Sequence, residues 1–198
     1  GSVGTAYIDD FEATTTNIDV HYPSYWFLAS TPYVFDESKD INQPTYNKNR
    51  AHLSWYTVDP IFGHSQSNTP VHIQNDLAAL SDHRTRIVYQ DEIYPNRQEA
   101  TTVDTKLPIL NLSFYPNERG QYNISADQIG TDGYLTNPKQ RWGGMMRRLD
   151  NTDFEKANIE YIEFWLMDPA LTNPEGYDGE MYINLGDVSE DILHDGKK

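Results

Sequence analysis

Two runs within residues 158–185 alternate with a period of two, and that alternation restricts the fold more than any other feature of the sequence. In Tyr161-Ile162-Glu163-Phe164-Trp165-Leu166, Ile162, Phe164 and Leu166 fall on one side of an extended backbone, and Tyr161, Glu163 and Trp165 on the other. In Met181-Tyr182-Ile183-Asn184-Leu185, Met181, Ile183 and Leu185 alternate with Tyr182 and Asn184. Successive strand side chains point to opposite faces, so short alternating runs rich in aromatic and β-branched residues predict half-buried strands. Pro169, Asn173-Pro174, Gly176 and Gly179 punctuate the polar connection between them. The pair is expected as antiparallel strands joined by a loop of about ten residues, longer than a tight hairpin.

The rest of the chain points to the same class. With 198 residues it can bury a core without disulfide or metal staples. Hydrophobic residues make up 37%, with 14 Tyr, 7 Phe and 4 Trp, which argues against disorder of the whole chain. Strand-forming residues and 11 Pro favour a loop-rich β protein over a helix bundle. Further strand candidates are residues 6–12, 20–29, 51–58, 86–89 and 106–115, the last with Leu110, Leu112 and Phe114 on one face. Pro23 confines the start of 20–29 to an edge or bend. Residues 36–50 and 96–105 are polar and read as loops, and Pro116-Asn117-Glu118-Arg119-Gly120 reads as a turn before Tyr122-Asn123-Ile124. Residues 73–81 predict one short helix. A second, over 189–194, would be capped by Asp187 or Ser189 and stopped by Gly196.

Charge and cysteine content exclude several functions. Fifteen Lys and Arg stand against 30 Asp and Glu, a net charge of −15. Nucleic acid and anionic membrane both need a positive surface, so neither is an expected partner. The chain has no cysteine, which removes disulfide scaffolds, thiolate zinc sites and cysteine nucleophiles. No apolar run reaches ~18 residues, so no transmembrane helix is expected. Gly1-Ser2 reads as a cloning scar, and the chain is expected to be a segment excised from a much larger protein.

No catalytic, cofactor or metal residue is assigned. Asp9, Asp10 and Glu12 form an acid cluster of the kind calcium takes, but without the spacing of an EF-hand loop, and a solvated or capping cluster is the simpler reading. His52, His64 and His72 lie in one region without metal-ligand spacing. Glu160 and Glu163 fall on opposite strand faces and cannot act as a carboxylate pair. Gly143-Gly144 after Trp142 lacks the lysine of a phosphate loop and reads as a turn or bulge at a strand start. No nucleophile elbow, His-Glu-x-x-His or dinucleotide fingerprint occurs. Asp-Phe-Glu occurs at 10–12 and 153–155, too short an echo to make a repeat.

A set of blocks in fixed order carries a resemblance. They are Tyr7-Ile8-Asp9-Asp10-Phe11-Glu12, Asn49-Arg50-Ala51, Trp55-Tyr56-Thr57-Val58-Asp59-Pro60, Glu118-Arg119-Gly120-Gln121-Tyr122-Asn123, Trp142-Gly143-Gly144-Met145-Met146-Arg147, Asp153-Phe154-Glu155, Asn158-Ile159-Glu160-Tyr161-Ile162-Glu163-Phe164-Trp165-Leu166-Met167-Asp168-Pro169 and the run from Asn184 to Gly196. Together they span nearly the whole chain and resemble the SprA/Sov family. The resemblance implies a piece of the outer-membrane translocon of the type 9 secretion system of Bacteroidota, which exports folded cargo bearing a C-terminal signal and in some members supports gliding motility. It implies a PorV-type outer-membrane protein, a periplasmic plug protein and secreted cargo as partners, and no catalytic or metal residues. Trp142 and Arg147 then read as structural.

Barrel strands need alternating segments of ~10 residues, which this chain lacks, so a water-soluble inserted domain is expected, on the extracellular side rather than the periplasmic. The opening block and the late strand pair also resemble galactose-binding-like jelly rolls. The expected architecture is therefore mostly β: one antiparallel two-sheet β-sandwich over residues 1–198 with long loops and one or two short helices. A second reading is a calcium-dependent carbohydrate-binding module using Tyr25, Trp26, Trp55 and Tyr56. A third, weaker one is a glycosidase or protease.

Overall fold

The computed structural model describes residues 18–63, 68–96, 106–126, 128–150, 153–156, 159, 161–168, 170–171 and 179–197. The chain divides into two compact units. One comprises Val20–Met146 and Asn184–Lys198, the other Gly1–Asp19 and Arg147–Ile183.

In the larger unit the described residues form two antiparallel two-stranded ladders and four short α-helices. Strand β1 (Phe27–Leu28) pairs with β4 (Met145–Met146), and β2 (Ala51–Tyr56) with β3 (Asn111–Arg119). The helices are α1 (Pro60–Gly63), α2 (Val71–Gln74), α3 (Leu77–Ser81) and α4 (Gln90–Ile93). Small antiparallel ladders and few, short helices agree with the coarse expectation. No helix among the described residues is long and apolar enough to cross a membrane.

The β2–β3 ladder follows the alternation in its sequence. Leu53 lies opposite Phe114 and Trp55 opposite Leu112, so these four share one face. His52, Ser54 and Tyr56 share the other with Tyr115, Ser113 and Asn111. Of the expected turn at residues 116–120, residues 116–119 are instead part of β3, with an interruption. Ala51 pairs with Arg119 whereas His52 pairs with Tyr115, so Pro116-Asn117-Glu118 bulge out of the register. Proline cannot donate to a ladder, which places the bulge where Pro116 stands.

Several expectations are corrected. Residues 20–29 form a 3-10 turn at Pro23–Tyr25 and only then the two-residue β1, because Pro23 favours the first position of a turn. The single helix over 73–81 is two. Chain direction breaks at Asn75-Asp76, and the Asp76 carboxylate accepts from the Ala79 N–H at 3.0 Å, starting α3 afresh. Of 86–89 only Tyr89 pairs, bridging to Lys106. Tyr122 has φ of 62°, so a turn and not a strand follows Gly120. Residues 189–194 are not helical. Asp191 accepts from the Asp195 and Gly196 N–H groups and folds the end into a tight loop.

In the smaller unit the second Asp-Phe-Glu copy forms a turn, where Asp153 accepts from the Lys156 N–H at 3.0 Å and pairs with its ammonium at 2.8 Å. Asp168 starts the next turn by accepting from the Ala170 N–H at 2.8 Å. The two alternating runs that were expected to pair do not: residues 161–168 and 181–185 lie outside both ladders and are exposed throughout. An isolated two-stranded ribbon is marginal in water without a layer to cover one face. The strand candidate 6–12, the first Asp-Phe-Glu copy and loop residues Asn173, Pro174 and Gly176 lie outside the described residues.

The core of the larger unit is small and mostly polar. Tyr46, Ala51, Leu135 and Trp142 are its buried hydrophobic residues among those described, and Thr31, Glu37, Ser38, Asn47, Arg50, Thr69, Asn123 and Arg141 are buried with them. It sits where residues 36–50, read as a loop from their polarity, meet residues 120–123 and 141–144.

Candidate functional site

Arg50 is the centre of this core and is only 1% exposed. It lies just before β2, and its backbone forms a parallel bridge with Trp142. Ala51 N–H donates to Trp142 O at 2.8 Å and Trp142 N–H to Asn49 O at 3.2 Å. On the other side Gly120 N–H donates to Arg50 O at 3.2 Å. The backbone at Arg50 is thus held from both flanks. Gly120 makes this possible, since a Cβ there would sit 2.3 Å from Ala51 O.

The Arg50 side chain is stacked and clamped. Its guanidinium carbon lies 4.4 Å from the Trp142 ring centre. Nε donates to Asn47 Oδ1 at 2.9 Å and Nη2 to Ala29 O at 2.7 Å. Phe35 stacks on Trp142 at 5.7 Å between ring centres. No carboxylate pairs with the guanidinium among the described residues. Burial pushes Arg50 down to about 10, the Tyr46 and Tyr122 oxygens pulling it partly back, so it remains a cation at neutral pH.

A ring of amide and guanidinium bonds closes around it. Asn123 Nδ2 donates to Lys48 O at 3.0 Å and Arg50 O at 2.8 Å. Arg141 donates to Lys48 O, Asn49 Oδ1, Gln128 Oε1 and Thr136 O. Burial lowers Arg141, opposed by the charge of Glu37. Asn47 Nδ2 donates to Ile192 O at 3.1 Å, and the Tyr46 ring lies 4.9 Å from that of His194, so the chain's last turn is fastened to the same node. Glycines 143 and 144 serve close approach here and not a turn. A Cβ on Gly143 would meet Leu53 Cβ at 2.8 Å and the Phe114 ring at 3.0 Å, and one on Gly144 would meet Ala29 Cβ at 3.1 Å. Arg50 Nη1, Trp142 Nε1, Glu37 Oε1 and Ser38 Oγ are buried without hydrogen-bond partners among the described residues. The node fixes backbone segments; it presents no nucleophile beside a base.

One such pair lies elsewhere. Ser54 Oγ and His52 Nε2 are 2.8 Å apart on the polar face of β2. The His52 ring is tilted on Tyr115 at 5.5 Å. It is a hydrogen bond along one face of a two-stranded ladder.

The aromatics expected to stack sugars are scattered over other duties. Trp55 Nε1 donates to Pro23 O at 3.1 Å and Trp26 Nε1 to Val20 O at 2.9 Å, which pins the first 3-10 turn. Tyr56 OH is bonded to Ser113 Oγ at 2.8 Å, and the exposed Tyr25 leans on Tyr22. A different aromatic hollow of about 340 Å³ is walled by Phe114, Tyr115, Pro116 and Tyr134, with Asn117 and Glu118, at the β3 bulge. Among the described residues no group of three or more His, Asp or Glu is placed to hold a metal ion. His72 is exposed on α2, and Asp9, Asp10, Glu12, His64 and Glu160 lie outside the described residues.

The sequence reading gave no role to Glu37, Ser38, Tyr46, Asn47 or Arg141, and none to Asn123 beyond its place in the Glu118–Asn123 block. None lies in a periodic run, and the first five had no signal but proximity to the Asn49-Arg50-Ala51 and Trp142-Gly143-Gly144 blocks. No protein-family model matches the chain, and no curated protein matches it significantly.

Proposed function

We propose that this chain is a non-enzymatic domain of a type 9 secretion translocon of the SprA/Sov kind, serving protein export, and gliding where it occurs, as a structural, cap or docking element. The observation that carries the reading is where the resembling blocks meet. Asn49-Arg50-Ala51, Gly120 with Asn123, Trp142-Gly143-Gly144 and the stretch from Ile192 to His194 are far apart in sequence yet bonded into one node. Blocks that share a core are what a structural resemblance leads one to expect, and none of them supplies catalytic chemistry. The finer fold belongs to this proposal: a jelly-roll sandwich completed by residues 6–12 and the late alternating runs, on the extracellular side of an outer-membrane protein. Its partners would be a PorV-type protein, a periplasmic plug protein and cargo.

The test uses the chain as bait in detergent extracts of outer membrane from a type 9-secreting bacterium. Co-purification of a PorV-type or plug protein, lost on Trp142→Ala, is expected. Its absence, together with normal cargo export by cells whose translocon lacks this segment, would discard the reading.

The hollow at the β3 bulge favours a second reading, a calcium-dependent carbohydrate-binding module, because Tyr115 and Tyr134 offer ring faces beside the amide of Asn117 and the carboxylate of Glu118. Glycan-array binding that needs calcium and disappears on Tyr134→Ala would favour it; a blank array with and without calcium would remove it.

A further inference from the structure

The hollow at the β3 bulge is walled by three rings that are fixed separately. Phe114 lies against the backbone at Gly143, where an added Cβ would stand 3.0 Å from its ring. The Tyr115 ring rests on that of His52, with centres 5.5 Å apart. Tyr134 is placed by its backbone. Its N–H donates to Asp132 Oδ1 at 3.1 Å, and its carbonyl accepts from the Gly130 N–H at 2.8 Å. The Leu135 N–H then donates to Asn117 O at 2.7 Å, which ties this turn to the bulge. Phe114, Tyr115 and Tyr134 make no ring contact with one another and stay 44%, 44% and 55% exposed. Rings held apart around about 340 Å³ wall a gap that they do not fill.

The polar groups at the hollow decide what fits it. Among the described residues, no hydrogen bond or ion pair engages the Glu118 carboxylate or the Asn117 side-chain amide. Arg119, next in sequence, is turned away to Ser125 O at 3.2 Å, and no Lys or Arg lines the hollow. An unpaired carboxylate beside aromatic rings, on a chain of net charge −15, selects a cation. The same net charge sets a second copy at a disadvantage as its source. Among cationic side chains arginine uses the site most fully. Its planar guanidinium stacks on a ring while its fork donates to a carboxylate and an amide oxygen at once, whereas an ammonium is a point charge.

We propose that the hollow at the β3 bulge receives an arginine side chain from a partner protein, stacked on the tyrosine rings and paired with Glu118. The inference stands on the hollow alone, so its failure leaves the co-purification test of the translocon reading untouched. It competes with the sugar reading for the same site, and the ion pair separates the two, since a neutral glycan makes none.

The test titrates the isotope-labelled 198-residue chain with three capped pentapeptides, Ser-Gly-X-Gly-Ser with arginine, lysine or citrulline at X, and with maltohexaose, following backbone amides at low and high salt. Shifts centred on residues 114–118 and 134 are expected. The arginine peptide should bind at least about fivefold more tightly than the citrulline one, with lysine between them and the margin shrinking in high salt. Glu118→Gln should bring the arginine peptide down to the citrulline level, and Tyr134→Ala should weaken it at least about threefold. Both side chains are exposed, so the amide spectrum elsewhere should not change. Arginine binding no tighter than lysine or citrulline, shifts that survive both variants, or no binding overturns the proposal. So does maltohexaose binding at the hollow more tightly than the arginine peptide, which would give the site to a sugar.

Discussion

Arg50 and Trp142 are joined twice: their backbones form a parallel bridge, and the guanidinium carbon lies 4.4 Å from the indole ring centre. The second contact depends on the first, because the bridge sets the ring at stacking height over a side chain anchored to Asn47 and Ala29. Lysine cannot reproduce a planar fork that stacks and donates in two directions. Arg50→Lys should therefore cost about 2 kcal/mol, from two weakened bonds and lost stacking. In a urea double-mutant cycle with Trp142→Leu, a coupling of about 1 kcal/mol or more is expected. Additive losses would mean that the two residues stabilise the fold separately.

Glycines in this chain do two different jobs, and substitution separates them. At Gly120 an added Cβ would stand 2.3 Å from Ala51 O, a backbone atom locked in the β2–β3 register. Gly120→Ala should destabilise by about 3 kcal/mol or fail to fold. Gly133 has φ of +84° with nothing near it, so Gly133→Ala should cost only about 1 kcal/mol, from backbone strain. Denaturation midpoints of the two variants, side by side, check the ordering.

Acid should loosen the last turn before the rest of its unit. Burial acts to raise the Asp191 carboxyl, but the N–H groups of Gly196, Asp195, His194 and Leu193 together outweigh it and hold the group below the usual carboxylate range. A carboxyl with a lowered folded pKa contributes stability above its unfolded value, near 3.9, and loses it as pH falls through the folded value. The protection of the Asp195 and Gly196 amides against exchange, relative to their intrinsic rates, should therefore fall below about pH 4, with Asn42, whose N–H donates to His194 O, following. Asp191→Asn should show the lower protection at neutral pH. Protection unchanged on acidification would mean that these bonds do not hold the turn.

How much of this was readable depends on where a residue's energy comes from. Leu53, Trp55, Leu112 and Phe114 face one side of a ladder because a strand alternates, and alternation is visible in one dimension. Residues 36–50 show the opposite. Asn47 and Arg50 are buried through bonds to Ile192 and Ala29, far away in sequence, so their polarity signals a loop until the partners are known. Residues 161–168 fail in a third way. Their alternation is genuine, yet no pairing strand covers them among the described residues, because periodicity states which face is apolar and not what will cover it.

Asn123 gives the sharpest check on whether the polar node holds the larger unit together. Its side chain is buried after a residue of positive φ, and its amide donates to Lys48 O and Arg50 O while Oδ1 accepts from the Ser125 N–H at 3.2 Å. Leucine has a similar volume but can make none of these bonds. Both carbonyls keep one other donor, Arg141 at Lys48 O and Gly120 at Arg50 O, so the loss falls on weakened acceptors and on the Ser125 N–H. Asn123→Leu should cost about 2–3 kcal/mol, near the upper end for one buried amide because three bonds go at once. Chemical denaturation of the variant measures it. A loss below about 0.5 kcal/mol would mean that the carbonyls at Lys48 and Arg50 are held by Arg141 and Gly120 alone.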